Sequence, residues 1–144
     1  MIVVDDRLLF DVIAGTEPAE LLDVAGDGVA MTFSWYYRLA RAVATDRIEG
    51  ALSRHYAGLP EDRRAQVRSL LDDLSDRVEI VSAKEAVPVM SALATMVTVN
   101  VLTADAVASA LILDAPILVS TRSDLLERAA AVAGVPTRYL HRDG

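Results

Sequence analysis

The stretch that decides the fold is residues 103–126, TADAVASALILDAPILVSTRSDLL. Its first half predicts a helix, because Ala106, Ala110 and Leu113 recur at helical spacing. The sequence Asp-Ala-Pro at 114–116 ends that helix, and the apolar run 117–119 is typical of a strand covered on both faces. A helix that leads into a buried strand indicates a parallel α/β sheet.

A second buried-strand signal opens the chain at residues 2–4 and ends at Asp5 and Asp6. Thr103 is predicted to cap the helix of the first stretch, which places Asp105 at its third position. Parallel strands end at one edge of a sheet, and ligands of such sheets bind beyond that edge. The sequence therefore predicts that acids gather at one end of the sheet.

The remaining segments alternate between strand and helix patterns. Further strands are predicted at 29–31, 78–81 and 137–140. The first predicted helices are 6–14, a short helix capped by Thr16 and ending at Gly26, and one opened by Thr32 or Ser34 and running to 44. The later ones are a short helix over 45–56, a helix over 61–74, one begun by a Ser82/Glu85 capping box and kinked or delayed by Pro88, and 124–133 capped by Thr121 or Ser123. This order predicts a single domain, 1–144, with a doubly wound three-layer α/β/α sandwich and a mostly parallel five-stranded sheet.

Composition restricts the classes of function. The 144 residues include no cysteine, which excludes disulfides and thiolate chemistry. The net charge of −7 repels nucleic acid unless basic groups cluster, as Arg38 and Arg41 do in sequence. A hydrophobic share of 53% favours self-association or a protein partner. No signal peptide or membrane span is recognisable, so we expect a cytoplasmic protein.

The opening IVVDDRLLFDVIAG (2–15) resembles the first strand and helix of a PIN domain. The stretch TADAVASALILDAPILVST (103–121) is similar to that family's helix with its third acid, followed by its fourth strand. The resemblance covers both ends of the chain, and the middle only by element order. It implies a VapC-like ribonuclease of the toxin-antitoxin kind, which acts on RNA with Mg²⁺ or Mn²⁺. It further implies Asp5 and Asp105 as catalytic acids, Asp5, Asp6, Asp105 and Asp124 as candidate metal ligands, and an antitoxin and a homodimer as partners.

Two positions depart from the family pattern. The second acid, normally a glutamate early in the helix after strand two, is absent from residues 33–38, FSWYYR. Glu49 and Asp46 are the acids that follow later in the chain. The fourth acid falls at Arg122 or Ser123, depending on a one-residue choice of register, and Asp124 is the nearest acid. These departures favour a weakened or lost nuclease, or a PIN-fold interaction module without catalysis.

Structural roles remain open for the same residues. Asp5 and Asp6 are also suited to capping the following helix, and Asp105 and Asp124 to facing a helix dipole. Trp35, Tyr36 and Tyr37 suit core and dimer contacts or base stacking, and Arg38, Arg41 and Arg122 suit phosphate contacts or a solvated face. A receiver-like signalling domain would share Asp5 and Asp6. That class lacks support, because Ser82 follows the third strand and His141 and Arg142 follow the last one, where an aspartate and a lysine are required.

Overall fold

The computed structural model describes residues 1–26, 28–45, 47–74 and 78–142. Five strands form one sheet: β1 (Ile2–Val4), β2 (Val29–Thr32), β3 (Val78–Val81), β4 (Ile117–Val119) and β5 (Thr137–Tyr139). Their order is β3-β2-β1-β4-β5, and every pairing is parallel. The predicted α/β architecture is confirmed.

Eight helices connect the strands in the described ranges: α1 (Asp6–Ala14), α2 (Ala19–Ala25), α3 (Phe33–Ala44), α4 (Ala51–Ala57), α5 (Glu61–Asp72), α6 (Ala83–Ala94), α7 (Val101–Leu113) and α8 (Asp124–Ala133). Among the described residues, no helix has the length and apolarity that a membrane crossing requires.

The central strands are buried on both faces. All residues of β1 and β4 are buried, with Val3 paired to Ile117 and Val4 to Leu118. Helix α7 packs on β1, β2 and β4 and also contacts α3, α6 and α8. Its residues 103–110 are all buried, which explains why an apolar helix rich in alanine occupies this place.

Several predicted helix starts were wrong. Asn100, not Thr103, caps α7: its side chain accepts from the Thr103 amide, so Asp105 lies one turn deeper than predicted. Asp5, not Asp6, caps α1. The short second helix begins after Pro18, while Thr16 donates its hydroxyl to Asp11 instead.

The remaining differences concern three helices. The helix predicted over 45–56 corresponds to α4, which begins only after Gly50. Ser82 caps α6 as predicted and accepts from the Glu85 amide. That helix begins at Ala83 with Pro88 inside it, so it has no late start. Ser123 caps α8, which settles the choice between Thr121 and Ser123.

Candidate functional site

A cavity of about 610 Å³ lies where the carboxyl ends of the strands meet. Asp5 follows β1 directly and Ser120 follows β4, and both line this cavity. The parallel order of the sheet brings them together from opposite ends of the chain. The edge of the sheet predicted to gather acids is therefore the edge that carries the cavity.

Asp5 is almost fully engaged by backbone and serine donors. Its Oδ1 accepts from the Leu8 amide at 3.0 Å, which caps α1. Its Oδ2 accepts from the Ser120 amide at 2.7 Å and from the Ser120 hydroxyl at 2.8 Å. Burial raises the pKa of Asp5, and these hydrogen bonds oppose that increase. The carboxylate thus ties β1 to β4 in addition to facing the cavity.

Asp6 has one carboxylate oxygen that accepts no hydrogen bond. Its Oδ1 accepts from the Arg7 amide at 2.9 Å, whereas its buried Oδ2 has no hydrogen-bond partner. Arg38 Nε lies 3.4 Å from Oδ2, close enough for an ion pair but without hydrogen-bond geometry. Burial raises the pKa of Asp6 to about 6, against the lowering effect of Arg38, and the neighbouring Asp5 adds to the increase.

Asp105 does not line the cavity, and its side chain is completely buried. Its Oδ2 accepts from the Ser34 amide at 3.1 Å and from the Ser34 hydroxyl at 2.5 Å. Its Oδ1 accepts from the Ser109 hydroxyl at 3.3 Å. Ser34 belongs to the first turn of α3, the segment where the family glutamate was missing. Asp105 therefore joins α7 to the start of α3.

Neither candidate for the fourth acid position, Arg122 or Ser123, is an acid, and the first of them is a cation. Arg122 is exposed, pairs with Glu127 at 3.2 Å and lines the cavity. Asp124, the first residue of α8, is exposed and does not line it.

One of the two later acids does reach the cavity. Glu49 lines it and approaches Arg41 at 3.9 Å, whereas Asp46 lies outside the described residues. The surface around Asp5 and Asp6 thus includes a third carboxylate that the family pattern does not contain.

The described residues do not fit a complete magnesium site. Within them, no group of three or more acidic or histidine side chains could hold a metal ion. Asp5 and Asp105 direct their oxygens to amide and hydroxyl donors, and of these three acids only Asp6 has an oxygen, Oδ2, without a hydrogen-bond partner. Because Mg²⁺ requires oxygen ligands in near-octahedral order, this set would hold it weakly.

Among the described residues that line the cavity, arginines outnumber acids. Three of these residues are carboxylates and five are arginines: Arg7, Arg38, Arg41, Arg122 and Arg142. In a chain of net charge −7, this is a local concentration of arginines, and Asp11 and Glu127 pair with three of them from outside the cavity lining. The sequence offered Arg38, Arg41 and Arg122 either as phosphate contacts or as part of a solvated face, and it did not single out Arg7 or Arg142. A signal was present in Asp11, an acid among the apolar residues of α1, which contacts both.

Comparison with known proteins supports the fold. No family model matches the sequence, and no curated protein matches it significantly. A structural match covers 96% of this chain and 98% of a chain in the crystal structure of VapBC2 from Rickettsia felis bound to a DNA fragment from their promoter. The TM-score is 0.58 and the sequence identity is 15%. VapC is a PIN-domain toxin, and at this identity the match speaks for architecture alone: the chain has a PIN-like fold.

Proposed function

We propose that this chain is a divergent toxin-type PIN-like protein that binds RNA in the arginine-lined cavity and has lost most metal-dependent cleavage. The observation that carries the proposal is that the acids of the site are engaged by hydrogen-bond donors and that arginines line the cavity. Asp5 and Asp105 accept hydrogen bonds from Ser120 and Ser34, and Arg122, one of the two candidates for the fourth acid position, lines the cavity.

The charges explain why binding and cleavage separate. Hydrolysis of a phosphodiester by a metal needs ligands that hold the ion and a site that activates water. Arginine needs neither to bind RNA, because its guanidinium contacts phosphate oxygens directly and stays charged. Among the described residues of the cavity lining, five arginines against three carboxylates therefore favour phosphate binding over metal binding.

A second function, a weak Mg²⁺ or Mn²⁺-dependent endoribonuclease, is favoured by Asp6. Its Oδ2 is buried at the cavity without a hydrogen-bond donor, beside Asp5. A cation there would satisfy that oxygen and lower the cost of the buried charge. In this case Asp5 and Asp6 would be the ligands, and Asp105 would orient the neighbouring helix.

Metal titration with an RNA cleavage assay separates the two functions. We expect wild type to bind labelled single-stranded RNA, to leave it intact, and to show no saturable calorimetric signal with Mn²⁺ or Mg²⁺. The double variant Asp5→Asn/Asp6→Asn removes both candidate ligands, and Asp23→Asn, an exposed acid of α2, is its matched control. Saturable binding and metal-dependent cleavage that only the double variant loses would establish the nuclease and overturn the binding-only function.

Partners follow from the same proposal. The matched structure is a VapBC2 complex, and we propose that this chain also has an antitoxin-like protein partner, forms a homodimer and works in the cytoplasm. Its exposed apolar side chains, such as Met96 at 61% and Val101 at 63%, support contacts between proteins.

A further inference from the structure

Asp11 is a buried carboxylate that the site described above does not use. It lies in the middle of α1, and its side chain is 1% exposed. Its Oδ1 accepts from the Thr16 hydroxyl at 2.9 Å. Its Oδ2 is approached by Arg7 Nε at 3.4 Å and by Arg142 Nε at 3.0 Å. One oxygen thus holds two guanidinium groups side by side.

The two arginines come from distant parts of the chain. Arg7 lies in the first turn of α1, one helical turn before Asp11, and Arg142 follows β5 near the end of the described residues. Arg142 Nη2 also donates to the Thr16 carbonyl at 3.2 Å, which fixes its plane. Both side chains line the cavity, and they are 18% and 25% exposed.

This arrangement leaves guanidinium N–H groups of Arg7 and Arg142 available at the cavity. Within the described residues, Arg7 uses only its Nε in a side-chain hydrogen bond, and Arg142 keeps its Nη1 unengaged. Arg7, Arg142 and Asp11 together carry two positive charges and one negative charge, so the group has a net positive charge. A buried acid that orients an arginine also reduces the conformational entropy that ligand binding would otherwise cost.

We propose that Asp11 is a positioning residue that holds Arg7 and Arg142 as a two-arginine site for a phosphate group of bound RNA. The inference rests on the proposed RNA-binding function and names the part of the cavity that contacts phosphate. Phosphate fits because its oxygens accept paired N–H donors from two planar guanidinium groups. A terminal phosphate and a backbone phosphate share this chemistry, and RNA with and without a 5′-phosphate distinguishes them.

The direction in which Asp11→Asn changes RNA affinity distinguishes a positioning role of Asp11 from a general electrostatic effect. Asp11→Asn removes a negative charge near the cavity, so long-range electrostatics alone predicts tighter RNA binding. If Asp11 positions the arginines, the same change releases them and weakens binding. Glu20→Gln, an exposed acid of α2 outside the cavity, is the matched control and should bind RNA as well as wild type or slightly better.

The experiment measures anisotropy of a labelled single-stranded RNA over a series of salt concentrations. Each phosphate contact to a single strand contributes about 0.7 to the slope of log affinity against log salt. We expect Arg7→Gln and Arg142→Gln each to lower the slope by about that amount. Arg128→Gln, which changes an exposed arginine of α8 that does not line the cavity, should leave the slope unchanged.

The outcomes are separable. If wild type binds no RNA, the proposed function and this inference both fail. If wild type binds RNA but Asp11→Asn binds as tightly as Glu20→Gln, and neither arginine variant lowers the slope, only this inference fails. Should Asp11→Asn not fold, which circular dichroism reports, Arg7→Gln and Arg142→Gln decide alone. A preference for 5′-phosphorylated RNA that Arg7→Gln loses assigns the terminal phosphate, and a lowered slope without that preference assigns the backbone.

Discussion

At the scale of single residues, Asp6 carries a buried charge that its surroundings only partly compensate. Its pKa is raised from 3.8 to about 6, so the folded state binds a proton that the unfolded chain has lost. This contribution to stability is present below pH 3.8 and declines as pH rises through about 6. At neutral pH the charged carboxylate therefore destabilises the fold, by at most about 3 kcal/mol.

We predict that Asp6→Asn stabilises the protein in a pH-dependent way. Near pH 4 the amide and the protonated acid should be equivalent, and the advantage of the variant should grow to about 1–3 kcal/mol by pH 7. Urea unfolding in metal-free buffer across this range measures it, with exposed Asp23→Asn as the control. A constant difference between variant and wild type would mean that Asp6 keeps an ordinary pKa.

The serine contacts of Asp105 give a second prediction for single residues. Ser34→Ala removes the short hydroxyl contact to a fully buried carboxylate, and we expect a loss of about 1.5–3 kcal/mol. Ser109→Ala removes the longer contact of 3.3 Å and should cost less. Urea unfolding of both variants compares them, and equal losses would contradict the role of Ser34 as the main partner of Asp105.

These residues also show what a sequence can predict about a site. Asp5 was predicted at this edge of the sheet because it directly follows the buried-strand signal at residues 2–4, and parallel strands end at one edge. Asp105 and Ser34 are 71 positions apart in the sequence, and no local pattern around either residue predicts their contact. Arg142 was missed for the same reason, since its partner Asp11 lies 131 positions away.

At the scale of elements, bounds were predicted well where local signals coincide, and the starts of α2, α4 and α7 were the exceptions. The bounds of β1, β3, β4 and α8 agree with prediction because apolar runs and end signals coincide there. The start of α7 was placed too late, because Val99, Asn100 and Val101 look extended although Asn100 is a good cap. Tertiary burial of α7 against three strands outweighs this weak local preference.

Two helix ends provide a matched pair of substitutions. Gly15 ends α1 and Gly134 ends α8, with φ of 74° and 75°. Alanine costs about 1–2 kcal/mol in this conformation at either place. At Gly15 the added Cβ would also lie 3.0 Å from Arg63 Nη1, which donates to the Ala14 carbonyl at 2.7 Å, whereas nothing lies within 4 Å at Gly134.

We therefore predict that Gly15→Ala destabilises more than Gly134→Ala, by roughly a further 1 kcal/mol as the Arg63 hydrogen bond is displaced. Thermal and urea unfolding of both variants measure the difference. An Arg63→Ala background should abolish it, since the steric neighbour is then gone. Equal losses in the wild-type background would show that the α1–α5 contact adjusts without cost.

At the scale of the whole molecule, the strand order brings the two ends of the chain together. Because β1 lies between β2 and β4, Asp5 meets Ser120 across 115 positions. The resemblance predicted that Asp5 and Asp105 gather at this edge, and it did not name Ser120 as the partner of Asp5. The middle of the chain contributes Ser34, Arg38 and Glu49, whose places depend on how α3 and the following loop pack, and these the sequence left undetermined.

The net charge makes the proposed dimer and RNA binding respond to salt in opposite directions. Two copies of a chain with charge −7 repel each other, while exposed Met96 and Val101 beside the α6–α7 junction favour apolar contact. Added salt screens the repulsion and leaves the apolar contact, so we predict stronger dimerisation at high salt. RNA binding through arginines should weaken under the same change.

Sedimentation equilibrium over a salt series measures the dimer, and Met96→Gln/Val101→Gln tests which surface forms it. We expect this double variant to lose dimerisation while it binds RNA as wild type does, because neither residue lines the cavity. Ile48→Gln, which alters another exposed apolar residue at 62%, is the control and should dimerise normally. A protein that stays monomeric at every salt concentration would refute the dimer. A dimer weakened by salt would instead indicate an interface of ion pairs, because salt also screens the attraction between opposite charges.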